Sequence, residues 1–579
     1  GAAGSGNNFF GNGAAGIAYD LTGFATGQIN ALNNNIQGQN RGLNFLINGD
    51  TFGQPFSLTN TSAQLDITRL QLNIAPSGNI WDTTTADPGN AAVPFQPLAN
   101  TDVTTGLQSV NGTLIAAGSN PLTAAGGGAL TGGGVADATA LLDLQFNSFG
   151  VSEEFRWDID SDPVGLPDGT VLGNDLIGST IQLQFSDGSN LAGALQAVAG
   201  NPDAAQFVAS SGASTADGIV LRGQGNSVFL ASDINNNRID RNGRWGIDVE
   251  MLGSARANDL DLKANTVTNN GLGGVRLHAD GPGAFIDASQ TIGGTGTVNL
   301  GFGNIVNAAN QFNNNTGDGL RVHAENGGVI RGNVINNQIR DNTGNGINMI
   351  ADRGANLDFG TAVAPPASRV ISGNTISGND GAGIQLTSNV SATTANRVDA
   401  TLRGNTITGN DRGGVMSVQS GTNTNAPVAP AVSNNTVNLT VGGAAVADAN
   451  TITGNGDAGV GVSVAGNGIA NVTIRNATIT GTTNGPDPIL NGDGINLRRA
   501  DSSLLTATIE DVTATGNAGD GLDVEVTGND KNDPNQPLPG TRNTVTWNRN
   551  NLSTNGQNGA RFRTRAESML IADGTTNTL

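Results

Sequence analysis

Cysteine is absent from the 579 residues, so neither disulfides nor thiolate metal sites can contribute. Lysine occurs only at Lys263 and Lys531, histidine twice and tyrosine once, and aromatic residues make up 4% of the chain. A core with so few rings must be a thin stack of Ile, Val, Leu and Ala. Charged residues are also scarce, at 13%, and the net charge is -21. An acidic chain without a basic stripe is a poor partner for nucleic acid or an anionic membrane surface, whereas divalent cations suit it. No apolar run approaches the ~18 residues of a membrane span. The chain opens on Gly1-Ala-Ala-Gly without a charged and then apolar leader, which predicts a removed signal segment or a piece of a longer polypeptide. This composition fits an exported surface protein, extracellular or on the cell surface.

What the chain has instead is glycine, 86 residues of it, and one short pattern repeated nine times. The clearest copy runs Asn374-Thr-Ile376-Ser-Gly-Asn379-Asp-Gly-Ala-Gly383-Ile384. Copies begin at Asn7, Asn237, Asn265, Asn310, Asn337, Asn374, Asn405, Asn450 and Asn550. Between Asn237 and Asn450 their spacing is 28, 45, 27, 37, 31 and 45 residues, too uneven for a helical solenoid but natural for coils of strand that tolerate loops. Ile376 and Ile384 sit among Thr, Ser and Gln with the period of a strand that buries one face. Asn379 falls where the chain must turn, and Asn tolerates the left-handed region. Stacked at ~4.8 Å, Asn242, Asn270, Asn315, Asn342, Asn379, Asn410, Asn455 and Asn555 predict an amide ladder of the kind seen in cross-β stacks. Gly383 is expected to supply a turn closed to residues with a Cβ.

The expected fold class is all-β: a parallel β-helix solenoid carrying an inserted antiparallel β-sandwich. Residues 1–90 read as its first rungs, from Phe9, Ile17 and Leu21 through Asn34-Ile36 and Gly42-Leu43 to the alternating run ending at Ile74. Pro88, Pro94 and Pro97 then mark a linker, and residues 116–135 are Gly/Ala-rich. Strand-like runs at 140–146, 154–159, 180–185 and 191–195 place the sandwich at 91–210. The main coil is expected over 211–579, three strands to a rung, with long loops at 359–368, 419–433, 483–492 and 528–542.

The repeat resembles that of the right-handed parallel β-helix superfamily, which includes pectate-lyase-like enzymes, phage tailspikes and bacterial surface proteins. The resemblance covers most of the chain outside 91–210 and implies a fold, not a function. Polygalacturonase-like members carry Asn-Thr-Asp, a paired Asp-Asp, Gly-His-Gly and Arg-Ile-Lys along one sheet. Here Asn100-Thr-Asp102 lies outside the repeat and the other three are missing. Lyase-like members set a basic residue beside calcium-binding carboxylates, and Arg276 with Asp280 is the nearest counterpart.

Two groups of residues could carry chemistry. Arg276, His278 and Asp280 follow the same glycine of the repeat as Arg321, His323 and Glu325, so register stacks them on the outer face. They hold both histidines of the chain, able to bind a metal or move protons, although duplication of one repeat also explains the match. The same outer column runs from Asp248 and Glu250 through Asn348, Gln385, Asn496 and Asp523 to Arg561, Arg563 and Arg565. In the sandwich, Asp158, Asp160 and Asp162 alternate as if on one strand face and leave room for Ca²⁺. Pro163 and Gly169 rule out an EF-hand, which needs glycine and glutamate at those places. The resulting expectation is an extracellular structural protein needing no cofactor, whose partners are copies of itself in a filament, sheath or layer. The alternatives are a polysaccharide lyase or hydrolase working on the outer face, and a glycan-binding adhesin.

Overall fold

The computed structural model describes residues 8–10, 16–37, 41–51, 53, 56–62, 65–84, 93–98, 105–116, 123–128, 134–165, 170–186, 190–211, 216–293, 298–299, 304–305, 309–360, 369–389, 394–419, 435–466, 468–487, 490–501, 503–528, 543–565 and 570–579. The chain divides into two compact units, one of residues 1–38 with 215–579 and the other of residues 39–214.

The first unit is a parallel β-helix with three long sheets, of eleven, twelve and fourteen strands among the described residues. One rung shows the course of the chain. Arg397–Arg403 lies in the fourteen-stranded sheet, Thr406–Thr408 in the eleven-stranded sheet and Val415–Gln419 in the twelve-stranded sheet, and Thr436–Val441 re-enters the first. Successive copies pair in parallel, residue on equivalent residue, as in Ile376↔Ile407↔Ile452↔Ile479. The interior is the expected stack of aliphatic side chains, with Phe229, Phe312 and Phe359 as its fully buried rings.

The asparagine ladder is present and runs twice. In the expected column, Asn342 donates its backbone N–H (3.1 Å) and its Nδ2 (2.9 Å) to Oδ1 of Asn379. Asn379 does the same to Asn410, at 3.1 and 2.8 Å, and Asn410 to Asn455, at 3.0 and 2.9 Å. The links from Asn242 through Asn270 and Asn315 to Asn342 match them. Thr482 interrupts this column, which resumes from Asn517 to Asn555. The first Asn of each copy forms a second ladder, from Asn34 through Asn237, Asn265, Asn310, Asn337, Asn374 and Asn405 to Asn450. Asn7 and Asn12 lie outside the described residues. Each amide answers backbone groups that a corner would otherwise leave buried and unpaired.

Two details of the repeat differ from expectation. The left-handed residue is not Asn379 but its predecessor, Gly378 (φ +64°), and likewise Gly409 (φ +62°) before Asn410. The asparagine can then point its amide inward. Gly383 has no positive φ, and its small size answers a different need. A Cβ there would lie 2.5 Å from Cγ2 of Ile407 and 2.8 Å from the carbonyl oxygen of Gly414, so glycine permits the close approach of the next rung.

The second unit begins much earlier than the 91–210 expected. Arg41–Asn48 pairs antiparallel with Asn201–Ser211 and Phe56–Asn60, and Ile67–Asn73 lies between Leu141–Phe149 and Thr180–Phe185. Two six-stranded antiparallel sheets, with the two-stranded pair Asn79–Asp82 and Asp160–Pro163, enclose one core. The strands of 41–73 alternate apolar and polar as coil strands do, so pattern alone assigned them to rungs. Their antiparallel partners, up to 170 residues away, assign them to the sandwich. In this core aromatic rings take the place of amide ladders: Trp157 stacks on Phe45, Phe56 and Phe155, with centroids 5.3–5.7 Å apart.

Candidate functional site

Along each strand of the twelve-stranded sheet, alternate side chains face outward, and parallel pairing lines them up from rung to rung. The register is the one expected: Asp248↔Arg276↔Arg321↔Asn348↔Gln385 in one row, and Glu250↔His278↔His323 in the next. Farther along, Asn496↔Asp523↔Arg561 continues the first row and Arg498↔Glu525↔Arg563 the second.

At the histidine end, charges are tied to one another. Arg276 makes a two-pronged pair with Asp248 (both contacts 2.7 Å) and reaches Glu250 at 3.3 Å. Glu250 also accepts from Arg222 at 2.7 Å and faces Nδ1 of His278 at 3.3 Å. The hydrogen bond from His278, with those charges beside it, pushes the Glu250 carboxyl down to about 2 despite its burial. Nε2 of His278 lies 3.1 Å from Oε1 of Glu325. Burial works against charge on His278, but its two carboxylate partners outweigh it and raise the pKa.

His323 stacks on His278, with ring centroids 5.1 Å apart and planes 18° apart, yet it titrates the other way. Burial lowers its pKa, the bond from Nε2 to Asp352 (2.9 Å) offsets this only in part, and His278 beside it lowers it further. One row therefore holds one imidazole whose pKa is raised and another whose pKa is lowered. Nδ1 of His323 has no hydrogen-bond partner among the described residues. Arg321, two residues before it on the same face and half-buried, has neither an ion pair nor a hydrogen bond among them. Asp280, expected in this group, is bound instead by Asn326 at 2.7 Å. Asp352 was not foreseen, because it lies just past its strand, Ile347–Ala351, where alternation no longer predicts direction.

At the far end of the face, carboxylates claim Arg561, Arg563 and Arg565. Arg561 reaches Asp520 (2.8 Å) and Asp523 (2.9 Å), Arg563 reaches Asp523 (2.6 Å) and Glu525 (3.1 Å), and Arg565 reaches Glu525 (2.8 Å). Asp493, Asp520 and Asp523 are buried with their carboxylates clustered. Burial, with the two neighbouring carboxylates, raises Asp493 to about 6. Between the charged ends the floor is neutral: Ile350, Thr387, Met416, Val418, Gly461 and Ser463. A cavity of about 440 Å³ opens there, with Asp487, Leu490 and Arg498 in its walls. Most of the loops expected at 359–368, 419–433 and 528–542, of which an enzyme would use the first two as groove walls, lie outside the described residues, as does Asn100-Thr-Asp102.

In the sandwich the three candidate calcium ligands do not share a strand face. Asp158 ends the strand Glu154–Asp158, where backbone N–H groups of Gly53 and Ile159 bond to it. The chain passes to another sheet at Ile159, and Asp160 pairs opposite Asp82. Burial, followed by the charges of Asp162, Asp82 and Asp50, raises Asp160 to about 7.

No family profile matches the chain, and no curated protein does. Among solved structures it is similar to a double mutant of the periplasmic alginate epimerase AlgG, at 13% identity over 63% of this chain and 72% of that one, TM-score 0.31. It is also similar to the catalytic domain of a GH87 alpha-1,3-glucanase in complex with tetrasaccharides (10% identity, 92% of both chains, TM-score 0.19). A third is the catalytic unit of a thermostable GH87 alpha-1,3-glucanase from Streptomyces thermodiastaticus (11%, 91% and 89%, TM-score 0.18). These are likenesses of backbone course. Among the described residues no helix is long and apolar enough to cross a membrane.

Proposed function

We propose that this protein acts, outside the cytoplasm, on a carboxylated polysaccharide laid across the outer face of its twelve-stranded sheet. The observation that carries the reading is the pair Arg321 and His323. In a row of otherwise neutralised charges, one guanidinium and one imidazole nitrogen are left without protein partners among the described residues, on the same face. Two residues of strand set them ~6–7 Å apart. That spacing lets Arg321 hold the carboxylate of a uronic acid sugar while Nδ1 of His323 takes the proton from the adjoining carbon. The negative charge released passes into the carboxylate, where the guanidinium opposes it. Return of a proton to the other side of that carbon would invert it. Loss of the oxygen substituent one carbon farther on would cleave the chain. The face continues over many rungs, which suits a polymer better than a small metabolite.

A purely structural shaft accounts for the ladders and the aliphatic core. It does not account for a buried ionic row, because burying paired charges contributes little to stability and leaving one without a partner costs.

Solvent-deuterium uptake into polyuronates tests the reading, since it reports proton removal whether inversion or cleavage follows. Uptake into at least one polyuronate is expected, lost in His323→Gln and with a raised KM in Arg321→Ala. No uptake into any polyuronate, or uptake undiminished in His323→Gln, overturns it.

A further inference from the structure

We propose that His278, His323 and Glu325 form a binding site for one divalent transition-metal ion of the zinc type. Their ligand-bearing atoms lie within 4.8 Å of one another. Nε2 of His278 and Oε1 of Glu325 are already 3.1 Å apart. Two ligands of a tetrahedral zinc ion, each at about 2.0–2.1 Å from it, stand roughly 3.3 Å apart. The His323 ring stacks on His278 with planes 18° apart, so its side chain must rotate to aim a nitrogen at an ion held by the other two. Two imidazoles and a carboxylate are a donor set that zinc accepts, with a fourth place left to water on the solvent side.

An independent feature points the same way. A metal-binding histidine is oriented by a carboxylate or carbonyl on its other nitrogen. Here both are so held: Glu250 lies 3.3 Å from Nδ1 of His278, and Asp352 lies 2.9 Å from Nε2 of His323. That leaves Nε2 of one ring and Nδ1 of the other for the ion. In formal charge the four carboxylates Asp248, Glu250, Glu325 and Asp352 balance four guanidinium groups: those of Arg222, Arg276 and Arg353, which are ion-paired, and that of Arg321, which has no ion pair among the described residues. The charge balance therefore does not oppose a cation. The second carboxylate cluster, Asp493 with Asp520 and Asp523, lacks this design because Arg561 and Arg563 already neutralise it.

An ion bound here would occupy the lone pair of His323 that the proposed reaction uses, so the loaded protein would not turn over. That consequence alone rests on the proposed activity; the binding does not.

The test is titration of the full chain with zinc chloride by calorimetry, and with Co²⁺ followed by visible absorption. One ion per chain is expected, with an intense tetrahedral-type cobalt spectrum. Binding should vanish in His278→Gln and His323→Gln and persist in Asp493→Asn. Glu325→Gln and Asp352→Asn should weaken it about tenfold or more. All four altered side chains at the site face outward from a strand or lie just past one, so the coil core is untouched. Absence of binding overturns the assignment. So does binding that survives the double histidine variant, or binding lost equally in Asp493→Asn, which would trace it to general acidity. Zinc that binds without stopping deuterium uptake would leave the site standing and count against His323 as the base.

Discussion

The coil and the sandwich both bury the backbone of extended strands, and they do so with different residues. In the coil two columns of asparagine close corners by meeting their copies one rung away, Thr482 interrupting one of them, and the core needs little more than Ile, Val, Leu and Ala. In the sandwich no rung repeats, so no side chain can stack on its own copy. Large rings fill the space between sheets instead, and the indole N–H groups of Trp81 and Trp157 are left buried without acceptors among the described residues. Repetition lets a small polar side chain do what shape complementarity must do elsewhere.

The largest expected effect breaks the sandwich alone. Trp157→Ala removes a fully buried ring stacked on three others and should cost about 3–5 kcal/mol. Hydrogen exchange read by mass spectrometry should show protection falling across 39–214 while the coil keeps its own. Equal loss in both units would mean that they unfold as one.

Next comes a break confined to the coil. Asn379→Ala removes the acceptor of two N–H groups of Asn342 and a donor to Asn410, at a cost of ~1–3 kcal/mol. Asn389→Ala, outside both ladders, should stay within about 0.5 kcal/mol. Equal melting temperatures for the two variants would remove the ladder from the account of stability.

Acid sharpens the contrast. The folded pKa of Asp160 is about 7, above its unfolded value of 3.8, so the folded state binds the extra proton. That makes the sandwich most stable, as far as Asp160 decides, below about pH 4, with stability falling as pH rises to about 7. In the coil Asp493, at about 6, acts in the same direction over a narrower window. Denaturant titrations of Asp160→Asn should lose the slope between pH 4 and 7 in the sandwich transition only. A slope that persists would assign it to another group.

The smallest effect is at the coil surface. Arg549 bonds Glu510 and Asp511 in the open, and Arg549→Ala should leave the melting temperature unchanged, because solvent screens such pairs. A clear drop would show that surface charge, and not only the ladders, holds the rungs.

Much of the site is legible in the sequence. Equal offsets from equivalent glycines are enough to stack His278 on His323 and Arg276 on Arg321, because parallel pairing without slippage carries sequence offset directly into space. The first Asn of each copy is visible too, but its ladder is not, since one column of amides already explains the motif. The contribution of Asp352 cannot be read from the pattern. Neither can the pairing of Arg561 with Asp520 and Asp523, which depends on how far side chains reach across rungs.

What the sequence by itself determined is the coil: its corners, its aliphatic interior and the register of its outer rows. Each follows from a repeat that pairs with its own neighbour, so local pattern and partner are one piece of information. Only the tertiary structure decided where the sandwich begins, which carboxylate each histidine meets, and that Arg321 keeps its charge unclaimed among the described residues. A strand such as Ile67–Asn73 has the same alternation whether it joins a rung or a sandwich sheet. The choice lies with partners roughly 70 or more residues away, Leu141–Phe149 and Thr180–Phe185, that no local period encodes.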